Sequence, residues 1–221
     1  MLWHHRVATF GRRLPAFGPI LYVSCLQYFV VQVVVAGHWR PHYSWSRNTI
    51  SDLGNTICGK WNGQPLCSPQ HDLMNLSFVL LGACTLIGSL LIRRVHLDQR
   101  GASIGFRCME IAGSGVVLVG LFPENSVPAL HGIGATLAFV FGNVATVVLG
   151  WSLRLPVTLR VFSLFLGVLA LGALVFYASS HFLGLGNGGI ERVVAFPQTI
   201  WLIMTGTYML SSSRGQHALF P

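Results

Sequence analysis

Four side chains able to do acid–base work, Asp52, His71, Glu124 and His131, fall where one apolar stretch of this sequence gives way to the next. A carboxyl or an imidazole in that setting can move a proton to or from a reacting group. Around them stand Arg40, Arg47, Asn48, Ser51, Asn55, Asn75, Asn125, Glu191 and Arg192, which supply guanidinium, amide, hydroxyl and carboxylate groups. Two chemistries fit this set. In the first, the arginines capture an anion, since a guanidinium holds phosphate through two parallel hydrogen bonds. Asp52 and Glu124 then act as base and acid, and His71 and His131 donate protons. In the second, His71 and His131 with Asp52 or Glu124 hold zinc, with one position open for water. No HExxH is present and the spacing is not diagnostic of a metal, so phosphate capture ranks first. For any single residue a structural tie is an equally good reading, because ion pairs and side-chain turns use the same groups.

These residues need elements to position them, and composition says which. Hydrophobic residues make up 52% of the 221-residue chain and charged ones 9%, against roughly a quarter charged in a soluble domain. Six apolar stretches approach or exceed the ~20 residues that cross a bilayer as helix, near 17–37, 71–92, 107–122, 131–153, 161–181 and 192–212. The runs are continuous rather than alternating, which argues against a membrane β-barrel. Nothing is left over for a soluble domain. The expectation is an all-α, six-helix polytopic bundle, one membrane domain over 1–221.

The formal charge of +8 is laid out for a membrane and not for nucleic acid. Ten basic residues (Arg6, Arg12, Arg13, Arg93, Arg94, Arg100, Arg107, Arg154, Arg160, Arg214) fall on one side of the spans and four (Arg40, Arg47, Lys60, Arg192) on the other. By the positive-inside rule both termini are cytoplasmic. The first span is longer than the 7–15 residues of a signal-peptide core, so it reads as a retained helix.

With this topology the long loop 38–68 lies outside, together with two short turns near 123–130 and 182–191. Trp39, Tyr43 and Trp45 suit the headgroup region. Ser68 reads as an N-cap with Pro69 at the first helical position, and Pro128 opens the fourth span similarly. Glu191 and Arg192 begin the sixth span after the flexible run 184–189. Cys58 and Cys67 share the outer loop, where an oxidising compartment permits a disulfide; two free thiols are the alternative. Spans two, four and six all present their positive ends outside, adding to the pull on an anion. Gly82, Gly88, Gly113, Gly132, Gly142, Gly167 and Gly172 allow close helix approach. Glu110 stands apart near the inner side, and no chain of ionisable groups crosses the membrane, which disfavours a pump or channel.

The segments Ser46–Thr56, Cys67–Asn75, Gly120–Asn125, His131–Ala135 and Gly188–Arg192 together resemble a prokaryotic membrane family known as domain of unknown function 998. The likeness runs from about Arg40 to Leu210 and implies a six-span bundle with a motif-bearing outer face. The Ile50-Ser51-Asp52-Leu53-Gly54 stretch is also similar to one in the family of autophagy modulators and GPI-anchor-remodelling proteins, which hints at lipid handling. The expectation is a multi-pass protein of a prokaryotic plasma (inner) membrane. Its partner is a phosphate-bearing or polyprenyl lipid, bound at the outer face and hydrolysed or used in group transfer. The alternative is a non-enzymatic lipid transporter, sensor or assembly partner using the same pocket. Transport of a small polar solute ranks third.

Overall fold

A computed structural model describes residues 16–61, 63–96 and 100–217. Arg6, Arg12, Arg13 and Asp98 lie outside them. Helices α1 (Phe17–Ser24) and α2 (Gln27–Gly37) form one span, Phe17–Gly37, joined through a tighter turn in which the Cys25 N–H bonds to Tyr22 O. The five further spans are α3 (His71–Arg93), α4 (Arg100–Leu121), α5 (Pro128–Ser152), α6 (Val157–Ala178) and α7 (Gly186–His217). Each is long and apolar enough to cross a bilayer. Val157, Val161, Phe165, Val168 and Val175 of α6 are exposed, as side chains facing lipid should be.

The third and sixth spans start well before the sequence expectation, and the cap of α3 is not where the sequence placed it, each for a local reason. The third span begins at Arg100 rather than near 107, because Ala102 and Phe106 are fully buried and extend its packing. Ser68 does not cap α3: its hydroxyl donates to Leu53 O at 2.6 Å, and the helix begins at His71. The glycine run that suggested a flexible lead-in is helical from Gly186, so Glu191 and Arg192 sit inside α7 and not at its head. Ser46 O accepts the N–H groups of both Gly188 and Gly189, which satisfies the start of the helix. Only glycine fits at 188, where a Cβ would lie 2.0 Å from Asn48 O. Pro128 does stand in the first turn of α5, as expected.

Small residues bring helices together, though not all those the spacing nominated. A Cβ on Gly82 would meet Gly113 O at 2.6 Å, and one on Gly113 would meet Gly82 O at 2.8 Å, so α3 and α4 touch backbone to backbone. A Cβ on Gly132 or Gly172 would meet nothing, so these two do not serve packing.

Connections 38–70, 122–127 and 179–185 gather at one end of the bundle, tied together by the bonds described below. The long connection carries a 3-10 turn, Ser51–Gly54, and an antiparallel hairpin of β1 (Cys58–Trp61) and β2 (Gln64–Cys67). Cys58 and Cys67 are bonded to each other across the hairpin. Trp39 is buried against Tyr43, with ring centroids 5.1 Å apart, so it packs inside the protein. At the other end, Glu110 is salt-bridged to Arg93 at 2.6 Å, away from the loops.

Candidate functional site

The stretch 49–55 is short, polar and held from four directions. Within it, the Thr49 N–H donates to Asp52 Oδ2 at 2.8 Å while the Asp52 N–H donates to Thr49 Oγ1 at 3.0 Å. That reciprocal pair is a capping box, and it starts the 3-10 turn. From α7, the Glu191 carboxylate accepts the Ile50 N–H and reaches that of Ser51. From α3, the Asn75 amide donates to Gly54 O at 2.9 Å. From the connection before α5, Glu124 Oε1 accepts a bond from the Asn55 amide at 2.9 Å, and Asn125 is paired with Thr56 through two bonds. From α5 itself, His131 Nε2 lies 2.9 Å from Ser51 Oγ. His131 Nδ1 is 2.9 Å from Phe122 O, an acceptor only, so Nδ1 carries the ring proton. Nε2 is then bare in the neutral ring, and the Ser51 hydroxyl donates to it.

Beneath this turn lies a cavity of about 860 Å³. Its loop end is polar, lined by Arg47, Asn48, Ser51, Asp52, Glu124, His131 and Glu191. Its far end is apolar, walled by Phe139 and Val140 of α5 and Leu174 of α6. Val140 is nine residues beyond His131, about 14 Å down the axis at ~1.5 Å per residue. Gly132, Thr136 and Val140 fall on one stripe of α5, and the first two are exposed, so the cavity opens between α5 and α6.

Seven of the thirteen residues nominated from sequence for catalysis or binding therefore line one cavity. The other six do not. Asn55, Asn75 and Asn125 stand behind the wall, bonding the turn to its neighbours. Arg40 is exposed elsewhere on the loop. His71 turns its Nδ1 to Ser68 O at 2.9 Å and its Nε2 to Asp72 at 3.3 Å. Arg192 is buried with both terminal guanidinium nitrogens engaged: one donates to the carbonyls of Trp45, Asn48 and Gly188 at 2.7 to 3.0 Å, and the other to the Tyr43 hydroxyl, while its Nε has no partner. Its plane also rests on the Trp45 ring, 4.9 Å from the centroid.

The zinc arrangement of His71, His131 and Asp52 is not assembled. His71 lies off the cavity, both His131 nitrogens are in hydrogen bonds, and no group of three His, Cys, Asp or Glu among the described residues is placed to hold a metal. Residues that the sequence did not nominate also line the cavity, notably Trp61, Gln64, Tyr177 and Asn187. Tyr177 was legible as a polar group near the end of an apolar span. The two hairpin residues carried no signal, because only the fold swings β1 and β2 over the site.

The protonation of Glu124 follows from where it sits. Burial raises its pKa to about 8, the Asp52 carboxylate beside it adds to the rise, and the Asn55 amide opposes it. Folded, the carboxyl holds its proton where an unfolded chain would release it near the ordinary value of 4.5. The folded state thus binds more protons between those limits, and this group's contribution to stability falls as pH rises from about 4.5 to about 8. Glu124→Gln mimics the protonated carboxyl: its amide oxygen can accept from Asn55 and its NH2 can donate to Asp52. Thermal unfolding in detergent should show a flatter dependence between about pH 5 and about pH 8 in Glu124→Gln than in the wild type. An unchanged slope would assign the proton to another group.

The model of the family described as "Protein of unknown function (DUF998)" matches residues 23–208. The chain belongs to that family. Every cavity-lining residue, from Arg47 at the rim to Glu191 on α7, falls within the DUF998 match. No curated protein and no solved structure matches the chain.

Proposed function

We propose that this DUF998 member binds a phosphate-bearing or polyprenyl lipid at the extracytoplasmic end of its bundle and processes it there by hydrolysis or group transfer. The observation that carries the reading is the cavity's two-part lining. Polar and ionisable groups crowd the loop end, apolar side chains wall the deeper part, and the opening faces the gap between α5 and α6. A water-soluble substrate has no use for the apolar half, whereas an amphiphile fills both. The ten-to-four distribution of basic residues supports an extracytoplasmic loop end of a plasma membrane protein, and the Cys58–Cys67 bond suits an oxidising compartment.

Within this reading the anion falls to Arg47. Its side chain is exposed at the cavity rim, and among the described residues no carboxylate lies within salt-bridge distance of it. A lipid phosphate at headgroup depth is its natural partner. The Asp52 and Glu191 carboxylates lie deeper, where a phosphate would be repelled, so with the protonated Glu124 they face the neutral, hydroxyl- or ester-bearing part of the ligand. The test is native mass spectrometry of the purified protein with extraction of bound lipid. Arg47→Ala should lower occupancy by a phosphate-bearing lipid about tenfold, the value of one charged hydrogen bond, without changing thermal stability. Equal occupancy in the variant would remove Arg47 from the reading. Lipid recovered intact, with no turnover in any condition, would favour a transporter or sensor over an enzyme.

A further inference from the structure

The bond between Ser51 Oγ and His131 Nε2 can do more than brace the loop. We infer that Ser51 is a covalent nucleophile activated by His131, and that the lipid taken into the cavity is a carboxylic ester cleaved or transferred through an acyl-Ser51 intermediate. The inference rests on the lipid-site reading above and adds the reaction class.

Three observations converge. First, the two atoms are 2.9 Å apart and both residues line the cavity, so the hydroxyl proton points at a bare imidazole nitrogen beside an open space. Second, the base is itself oriented: Phe122 O fixes the Nδ1–H tautomer, the role a carboxylate or amide plays in other nucleophile–base–orienter arrangements. Third, the nucleophile is rigid. The Glu191 carboxylate holds the N–H groups of Ile50 and Ser51, and the Thr49–Asp52 pair closes the turn around it.

The surroundings select the electrophile. The Asp52 and Glu191 carboxylates share the cavity's loop end with Ser51, so an anionic phosphodiester is a poor target at that depth. A neutral ester carbonyl is not repelled. In a lipid whose ester lies close to its phosphate, Arg47 at the rim would hold the anion, the carbonyl would lie one layer deeper at Ser51, and the acyl chain would run down between Phe139 and Leu174. A donor for the developing oxyanion comes from the cavity's own lining, where the Trp61 indole N–H has no protein partner.

The step balances without a cofactor. The Ser51 oxygen forms a bond to the carbonyl carbon as its proton passes to His131 Nε2, and the carbonyl electron pair moves to oxygen. Collapse of the tetrahedral intermediate breaks the ester C–O bond, and the departing alkoxide takes the proton from Nε2, leaving an alcohol and acyl-Ser51. Water, or an acceptor alcohol, then attacks the acyl group and gives its proton to Nε2. The free acid or a new ester departs and Ser51 regains its hydrogen.

The test is covalent labelling of the full-length protein in detergent with an alkyl fluorophosphonate, followed by peptide mapping. Bound lipid is measured by native mass spectrometry on the same samples. The probe should modify Ser51 in the wild type, fail to label that peptide in Ser51→Ala, and react at least about a hundredfold more slowly in His131→Gln. Should His131→Gln unfold, Ser51→Cys supplies the second arm: iodoacetamide should modify the introduced thiol faster than it modifies Cys25, Cys84 or Cys108. No labelling of wild-type Ser51, or an introduced thiol no faster than those three, overturns the inference. If lipid is still bound in that case, the lipid-site reading survives and the Ser51–His131 bond is a structural tie. If Ser51 labels but no lipid is bound, the nucleophile stands and the lipid reading falls.

Discussion

Arg192→Ala should be the most destabilising single substitution at the loop end, at about 3–5 kcal/mol, because it removes a buried cation from groups built to receive it. The carbonyls of Trp45, Asn48 and Gly188 lose a donor together, the Tyr43 hydroxyl loses another, and the Trp45 ring loses the plane it stacks on. Buried acceptors left unpaired carry the desolvation penalty in full. The segment 43–48 should then lift from α7, and thermal unfolding followed by tryptophan fluorescence should begin roughly 10 °C lower. Arg192→Lys should recover less than half of the loss. An ammonium on a flexible stem cannot serve three carbonyls and a hydroxyl in the fixed directions of a guanidinium fork. If Arg192→Ala left the midpoint unchanged while weakening lipid binding, the residue would be a ligand contact, as its position in the sequence first suggested.

Glu191→Ala should cost about 2–4 kcal/mol by a different route. Its carboxylate serves the Ile50 N–H and reaches that of Ser51, and Ile50 is almost wholly buried, so its N–H would be stranded with no water to replace the bond. Glu191→Gln keeps one acceptor oxygen and should lose clearly less. Hydrogen exchange at the Ile50 and Ser51 amides separates the two: fast in Glu191→Ala, partly protected in Glu191→Gln, slow in the wild type. Equal protection in all three would mean that the turn is held without α7.

These two neighbours on α7 show what a sequence can and cannot say about such a site. That charged residues are costly near hydrocarbon, and so must be held for a reason, was legible from composition alone. So were the six spans and the end at which polar groups collect, because those depend on runs of apolar residues and on where basic residues fall. What each charge is held by was not legible. Arg192 reads as an anion ligand until the fold lays Trp45 and Asn48 against it, a contact between residues nearly 150 positions apart. His71 and His131 look alike in sequence, each near a proline at the head of a span. One faces Ser68 and Asp72, and the other is bonded directly to a serine at the cavity's loop end. The difference lies in which loop groups reach each ring: the 49–55 stretch lies against both α3 and α5, but it offers Ser51 to His131 and its Gly54 end to Asn75 of α3. No periodicity encodes that pairing. Ser51 was legible only as one more polar residue, since a nucleophile differs from a turn serine by its partner.

The measurement closest to the central claim is lipid occupancy of the wild type against Gly132→Trp, read by native mass spectrometry with extraction of the bound species. Gly132 lines the cavity and a Cβ there meets no neighbouring atom, so an indole can enter the space without disturbing helix packing. A wild-type chain should hold about one phosphate-bearing lipid and Gly132→Trp almost none, with the same thermal midpoint in both. A wild type free of lipid, or a variant that retains it in full, would contradict the cavity as a lipid site.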